Sequence, residues 1–205
     1  MLPRFREKRI GITADIKKAF LQISVALKER GVMRFLWRRT EDPDKFVIYR
    51  HCRVVFGISS SPFLLGAIIN LHLERTAEET ENIHEKAIIE KLKHSFYVDN
   101  CVASIESQKE AEIFKDKAIT VLSSGGFVLR DWRRSKEKNS GKIPLLGLVW
   151  DTDEDTLTLS PSTLLQEAPD KITKRLILSF TQGIFDPLGI ASPVEAQAIT
   201  KELME

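Results

Sequence analysis

Apolar and polar positions along the chain change period several times. Ile10, Ile12 and Ala14 alternate with Gly11 and Thr13, the two-residue period of a strand, and the strand runs into Asp15. Residues 17–23 read as a short helix or turn. Residues 32–38 and 46–56 are rich in β-branched and aromatic side chains. Glu41-Asp42-Pro43-Asp44 supplies turn chemistry between them, so the pair predicts a hairpin. Pro62 opens a long helical stretch with no internal proline, in which Leu65, Ile68, Ile69 and His72 share a face. Residues 94–104 are strand-like, with Tyr97-Val98-Asp99-Asn100 placed for a hairpin turn. Ser107 opens a second helix through Ala111, Phe114, Ala118 and Leu122, which Gly125-Gly126 ends. Residues 127–132 and 145–150 read as further strands, separated by a polar loop over 135–141.

The order is strand, strand pair, helix, hairpin, helix, strands. It predicts an α+β fold in which helices pack on one face of a mostly antiparallel sheet. From residue 161 the character changes. Pro161, Pro169, Pro187 and Pro193 break the chain into shorter helical pieces. Residues 1–158 therefore read as one domain and 159–205 as the start of a second unit, cut short.

Composition narrows the picture without deciding it. At 205 residues, with 42% hydrophobic and 29% charged residues, the chain is globular in balance rather than disordered. A net charge of +2 leaves any nucleic-acid role to local patches. Such patches exist at Arg4, Arg6, Lys8 and Arg9, at Lys28, Arg30, Arg34, Arg38 and Arg39, and at Arg130, Arg133, Arg134, Lys136 and Lys138. Solvated charged faces are the plainer reading of each. Two cysteines, Cys52 and Cys101, are too few for a disulfide scaffold and suit a reducing compartment. No apolar run approaches the roughly 20 residues of a membrane span, and the basic start lacks an apolar signal core. A cytoplasmic protein with no membrane partner is expected.

Two aspartates stand out by setting. Asp15 ends an apolar strand, and Asp99 sits in a hairpin with apolar flanks. A carboxylate there is costly unless it is paired or holds a cation. Two on neighbouring strands suit Mg²⁺, which takes one or two carboxylates together with phosphates and waters. The alternative is local: Asp15 caps the next helix and Asp99 fills a turn position. His51, Cys52, His94 and Cys101 lack zinc-ligand spacing and read as packing or surface residues. The serines 59–61 form no nucleophile elbow, and no phosphate-binding glycine loop is present. Trp37, Trp132 and Trp150 are able to stack on bases, with packing the plainer role.

Resemblance adds to this. Ile12-Thr13-Ala14-Asp15-Ile16-Lys17-Lys18-Ala19-Phe20-Leu21-Gln22-Ile23 resembles the first aspartate motif of reverse transcriptases. Phe56-Gly57-Ile58-Ser59-Ser60-Ser61-Pro62-Phe63 resembles the loop and helix that follow it. Tyr97-Val98-Asp99-Asn100 resembles the tyrosine-any-Asp-Asp hairpin. Residues 125–132 and 145–150 resemble the later motifs, the second being the primer-grip turn. All five come in the family's order, and the wording, with Ile184-Phe185-Asp186-Pro187-Leu188-Gly189, is similar to the BEL/Pao class of long-terminal-repeat retrotransposons.

The resemblance implies a polymerase palm followed by part of a thumb or connection region. It implies RNA-directed addition of deoxynucleotides to a primer 3′-hydroxyl with Mg²⁺ or Mn²⁺. Asp15 and Asp99 would be the metal-binding carboxylates, with Asn100 beside them and the backbone carbonyl of Ile16 next to Asp15. Phe20 would lie under the incoming sugar and disfavour a 2′-hydroxyl; plain core packing is its other reading. Phe56 and Gly57 would line the nucleotide and template, Ser61 and Pro62 would start the helix beneath, Tyr97 would touch the primer end, and Leu146 and Gly147 would form the primer grip. Arg133, Arg134 and Lys136 are candidate proton donors to pyrophosphate. Partners would be an RNA or DNA template-primer and deoxynucleoside triphosphates, in the cytoplasm, a virus-like particle or the nucleus.

Two departures bear on activity. Asn100 stands where the family usually has a second aspartate, which keeps an oxygen ligand and loses a charge. Asp15 lies only 14 residues after Met1, whereas the family's fingers mostly precede that aspartate, so the fingers are expected to be largely missing. Ribonuclease H, protease and integrase segments would belong to a full-length element. A second reading follows, a non-catalytic relic that binds nucleic acid or a protein partner at most. An open palm sheet also predicts exposed apolar surface on its helix-free face.

Overall fold

The computed structural model describes residues 1–42, 44–137, 141–159, 173–175 and 189. They show a mixed α+β chain with antiparallel sheets. By internal contacts it divides into two compact units, Met1–Arg134 and Ser135–Glu205.

The first unit is built around β1 (Ile10–Ile16), the predicted first strand. It is an inner strand of a four-stranded antiparallel sheet in the order β4-β5-β1-β6. The others are β4 (Phe96–Tyr97), β5 (Asn100–Ile105) and β6 (Leu129–Arg134). The register sets Ile12 opposite Ala103 and Ala14 opposite Cys101. Directly opposed residues share a face, so Ile12, Ala14 and Ile16 join Cys101, Ala103, Ile105 and Leu129 in one buried cluster. Three helices close that face: α2 (Ser61–Glu79), α3 (Ile83–Lys93) and α4 (Gln108–Ser124). Leu65, Ile69 and Leu73 of α2, Ile89 and Leu92 of α3, and Ala111, Phe114, Ala118 and Leu122 of α4 complete the core. Ser107 caps α4 by accepting the Glu110 N–H at 3.3 Å.

The long helical stretch after Pro62 is two helices, not one. Asn82 accepts the His84 and Glu85 N–H groups at 2.9 and 3.3 Å and starts α3. Just before it, the Thr76 and Thr80 hydroxyls donate to the carbonyls four residues back, a bond that competes with helical regularity. The buried stripe of α2 runs through Leu65, Ile69, Leu73 and Ala77, with Ile68 at the surface. The predicted turn at 17–23 is a 3-10 turn over Ala19–Gln22, and a further one at Leu27–Val32 was not expected.

The predicted hairpin is present as β2 (Arg34–Arg38) and β3 (Phe46–Arg50). The second strand is shorter than the pattern suggested, because residues 52–54 leave it to pair with residues 23–25. Val25 N–H donates to Cys52 and Val54 N–H to Ile23, both at 3.0 Å. Exposed apolar side chains gather here. Phe35, Leu36, Trp37, Phe46, Ile48 and Tyr49 are all exposed, on a ribbon too small to bury them. On the open face of the sheet, by contrast, Thr13, Val102 and Ser104 are buried. That face is not helix-free. The short helix α1 (Leu2–Phe5) sits over Ser104, whose hydroxyl donates to the Arg4 carbonyl and accepts the Lys8 N–H.

In the second unit, β7 (Lys142–Leu145), β8 (Leu148–Asp151) and β9 (Thr156–Leu159) form an antiparallel sheet. Residues 145–150 are thus a hairpin rather than one strand. Leu145 faces Leu148 across a two-residue loop, Leu146 and Gly147, both at positive φ of 48° and 86°, as in a type I′ turn. The acidic run at 151–155 is turn chemistry: Asp151 accepts the Asp153 and Glu154 N–H groups, and Asp155 accepts the Trp150 indole N–H at 3.0 Å. The division between units falls after Arg134, earlier than the boundary after 158 read from composition. Apart from Leu159, residues 173–175 and Gly189, the segment 159–205, including Ile184 to Leu188, lies outside the described residues.

Position 125, at the C-terminal end of α4, is glycine for a steric reason. A Cβ there would lie 2.7 Å from the His72 ring, whose Nε2 is 2.7 Å from the Val121 carbonyl. Gly125→Ala should therefore destabilise the fold by about 1–3 kcal/mol. Adding His72→Ala should restore part of the loss, so that the two costs are clearly non-additive in urea melts. Additive costs would show that the contact is not what requires glycine.

Candidate functional site

The Asp99 hairpin is as tight as a hairpin can be. Tyr97 faces Asn100, which leaves Val98 and Asp99 as its loop. Val98 has φ 56° and Asp99 does not share the positive φ, a II′-like pattern that normally takes glycine at the first position. A β-branched residue there costs about 1–2 kcal/mol. The turn is held by the neighbouring strand: the Ile16 N–H donates to the Asp99 carbonyl at 2.9 Å.

The same register places Asp15 opposite Asn100 and, on the other side, opposite Arg130. Asp15, Asp99 and Asn100 are therefore gathered at one end of the central strands. Pairing puts Asp15, Asn100, Tyr97, Arg130 and Arg133 on the face opposite the three core helices. Asn100 Nδ2 donates to Asp99 Oδ1 at 3.2 Å. Burial pushes the Asp99 carboxyl above the usual carboxylate range. The Asp15 charge adds to that, and a hydrogen bond from its own backbone N–H opposes it.

Arg130 was read from sequence only as one of a basic cluster. Its Nε and NH2 donate to the same oxygen, Asp15 Oδ2, at 3.1 and 3.0 Å. A β-bulge creates this pair. Between Thr13–Arg133 and Asp15–Arg130 the register slips, so Asp131 and Trp132 together oppose Ala14, and Asp131 takes φ 52°. The slip is what lets residues 130 and 133 share a face at odd spacing. No local sequence signal marks it.

The three proton-donor candidates separate. Arg133 is on the Asp15 face. Arg134 faces the helices, in an ion pair with Glu112 of α4 at 2.8 Å. Lys136 belongs to the second unit, as do Leu146 and Gly147, the primer-grip candidates. Phe20 is buried in the core cluster, with its ring edge-to-face against Phe56 at 4.6 Å. Phe56 is itself 72% exposed. Next to it, Gly57 has φ +84°, with open space where a Cβ would be, so its requirement is conformational rather than steric. Ser61 begins α2 as expected, its hydroxyl donating to the Val55 carbonyl at 2.7 Å.

The remaining candidates behave as packing or surface groups. Cys101 is buried, its thiol pushed up to about 12, and Cys52 is an exposed thiol. The His51 ring lies 4.8 Å from that of Phe35. Trp150 is buried, whereas Trp37 is more than half exposed.

The residues that gather fit a hard divalent cation in kind. They offer two carboxylates, an amide oxygen and backbone carbonyls, with mutual repulsion that a cation would relieve. They do not make a complete cage: among the described residues no three His, Cys, Asp or Glu side chains cluster as metal ligands. Phosphates and waters would have to supply the rest. Also among the described residues, no helix is long and apolar enough to cross a membrane. Searches against protein-family profiles and against curated proteins find no match.

Asp99 gives a pH test. Its folded-state pKa lies above the unfolded value near 3.8, so between the two the folded state holds more protons and stability falls as pH rises. Without divalent cations, Asp99→Asn should raise Tm at pH 7, and the gain should shrink as pH falls toward 4. A lower Tm at pH 7, or a gain independent of pH, would contradict the assigned strain.

Proposed function

We propose that this chain is the palm-like region of an RNA-directed DNA polymerase of the BEL/Pao retrotransposon kind. In this reading it adds deoxynucleotides to a primer 3′-hydroxyl on a nucleic-acid template, within a polyprotein whose other segments supply fingers, ribonuclease H and integrase. The observation that carries the reading is the meeting of Asp15 and Asp99. They lie 84 positions apart in the chain, yet Asp15 in β1 and Asp99 in the turn leading into the adjoining β5 come together at the same end of an antiparallel sheet. Local structure at three of the other motifs is compatible with it. Phe56 and Gly57 precede α2, Tyr97 borders the Asp99 turn, and Leu146 and Gly147 form a tight hairpin turn.

Asp15, Asp99 and the Ile16 carbonyl would hold Mg²⁺ or Mn²⁺. Bound there, such ions supply charge neutralisation for the attacking and leaving oxygens of phosphoryl transfer. The protein's share is positioning and exclusion of wrong geometry. Tyr97, on the face with Asp15, would hold the primer end. Phe20 and Phe56 form an aromatic corner that would border the sugar. Of the two proton-donor candidates in this unit, Arg133 shares the face with Asp15 and Arg134 does not.

One observation favours the second reading, a non-catalytic relic. Asn100 puts a neutral amide against Asp99 where a third carboxylate would strengthen cation binding.

Primer extension separates the two. With poly-A template, oligo-dT primer and Mn²⁺ or Mg²⁺, the proposal expects extension that Asp99→Ala reduces by roughly 10²-fold or more and that Asn100→Asp increases. Salt-sensitive template-primer binding with no extension by either the wild type or Asn100→Asp would sink the polymerase reading in favour of the relic.

A further inference from the structure

We infer that Arg130 is the resident counter-ion and positioning residue of Asp15, and that a divalent cation enters this site only by exchange with its guanidinium. The inference rests on the reading of Asp15 as a cation ligand.

The geometry is specific. Both Nε and NH2 of Arg130 converge on one oxygen, Asp15 Oδ2. The pair is set by backbone register rather than by chance contact, since Asp15 and Arg130 are directly opposed across β1 and β6. The bulge at Asp131 and Trp132 fixes where Arg130 points. Asp15 is the more enclosed partner, its side chain 30% exposed against 51% for Arg130. A carboxylate so placed, beside a second one at Asp99, is costly to leave uncompensated. The guanidinium meets that need in the cation-free protein. It also orients the carboxylate toward β6.

A cation and this guanidinium cannot both sit on Asp15 Oδ2 without like-charge repulsion. Binding must therefore break two charge-assisted hydrogen bonds. The structure holds an alternative partner for the displaced group: Asp131 Oδ2 lies 3.4 Å from Arg130 Nε, on a side chain 65% exposed. Arg130 thus has a carboxylate on each side, one in the candidate cation site and one outside it. Exchange from the first to the second frees Asp15 without leaving the guanidinium unpaired.

The test needs no catalysis. Mn²⁺ is titrated into the full 205-residue chain without nucleic acid or nucleotide, and free Mn²⁺ is read by its paramagnetic resonance signal. Wild type, Arg130→Gln, Arg130→Lys and Asp15→Asn are compared after matching their circular dichroism. Removing the competitor should tighten Mn²⁺ binding about three- to fivefold in Arg130→Gln, the size of a half-exposed ion pair that no longer has to break. Arg130→Lys keeps the charge and should stay closer to wild type. Asp15→Asn should abolish the site. If Arg130→Gln binds Mn²⁺ no more tightly than wild type while Asp15→Asn loses it, the exchange is wrong and the cation-site reading survives. If Asp15→Asn binds as wild type does, the cation-site reading fails and the exchange with it.

Discussion

The structure depends on one strand being shared. β1 is hydrogen-bonded to β5 on one side and β6 on the other, and its seven residues carry two separate tasks on alternate positions. Ile12, Ala14 and Ile16 enter the core, while Thr13 and Asp15 face the other way. A one-residue slip of β1 would exchange these sets. It would turn Asp15 toward the apolar cluster and expose the isoleucines. The burial energy of the core face thus fixes the register. The register in turn sets Asp15 against Asn100 and Arg130. Core packing on one side of the sheet is the physical reason that the polar group on the other side has a defined geometry.

Strain is concentrated where that geometry is tightest. Val98 in a left-handed conformation and Asp131 at a bulge flank the same pair of carboxylates from the β4–β5 turn and from β6. Each would relax if its strand were free at that end. Neither strand is, because Ile16 is bonded to Asp99 and Lys17 N–H to the Val128 carbonyl at 2.9 Å. The two strained positions share an anchor, the last residues of β1.

What could be read from sequence divides along physical lines. The two-residue period of Ile10 to Ala14 and the cap-to-glycine span from Ser107 to Gly125 are short-range signals, and both elements formed where they were expected. So did the turn at Val98 and Asp99, because hairpin chemistry is local. Asn82 was missed as a cap because it interrupts a stretch whose apolar spacing continues across it. Periodicity took 145–150 as one strand because Leu146 is an unusual residue at positive φ, with Gly147 as the local signal; the turn there was marked by the resemblance alone. For the candidate site, Asp15 and Asp99 stood out as costly carboxylates. Arg130 did not, because its meaning comes from a register slip between strands more than 100 residues apart, which neither composition nor periodicity encodes.

Charge accounting ties these parts together. With Asn100 in place of an acid, the gathered side chains bring two carboxylates, and Arg130 offsets one of them. The remaining one, Asp99, is the group whose pKa is raised, by burial first and by the Asp15 charge after it. An acid at 100 would add a third negative charge to a site in which Arg130 offsets one. Repulsion would then rise in the cation-free fold while the attraction for a divalent ion rose with it. If the site takes a cation as proposed, Asn100 and Arg130 act in the same direction: each lowers the cost of folding the cation-free site, and each would weaken its hold on a cation. On that reading, the local stability of the sheet end and its affinity for metal are opposed quantities.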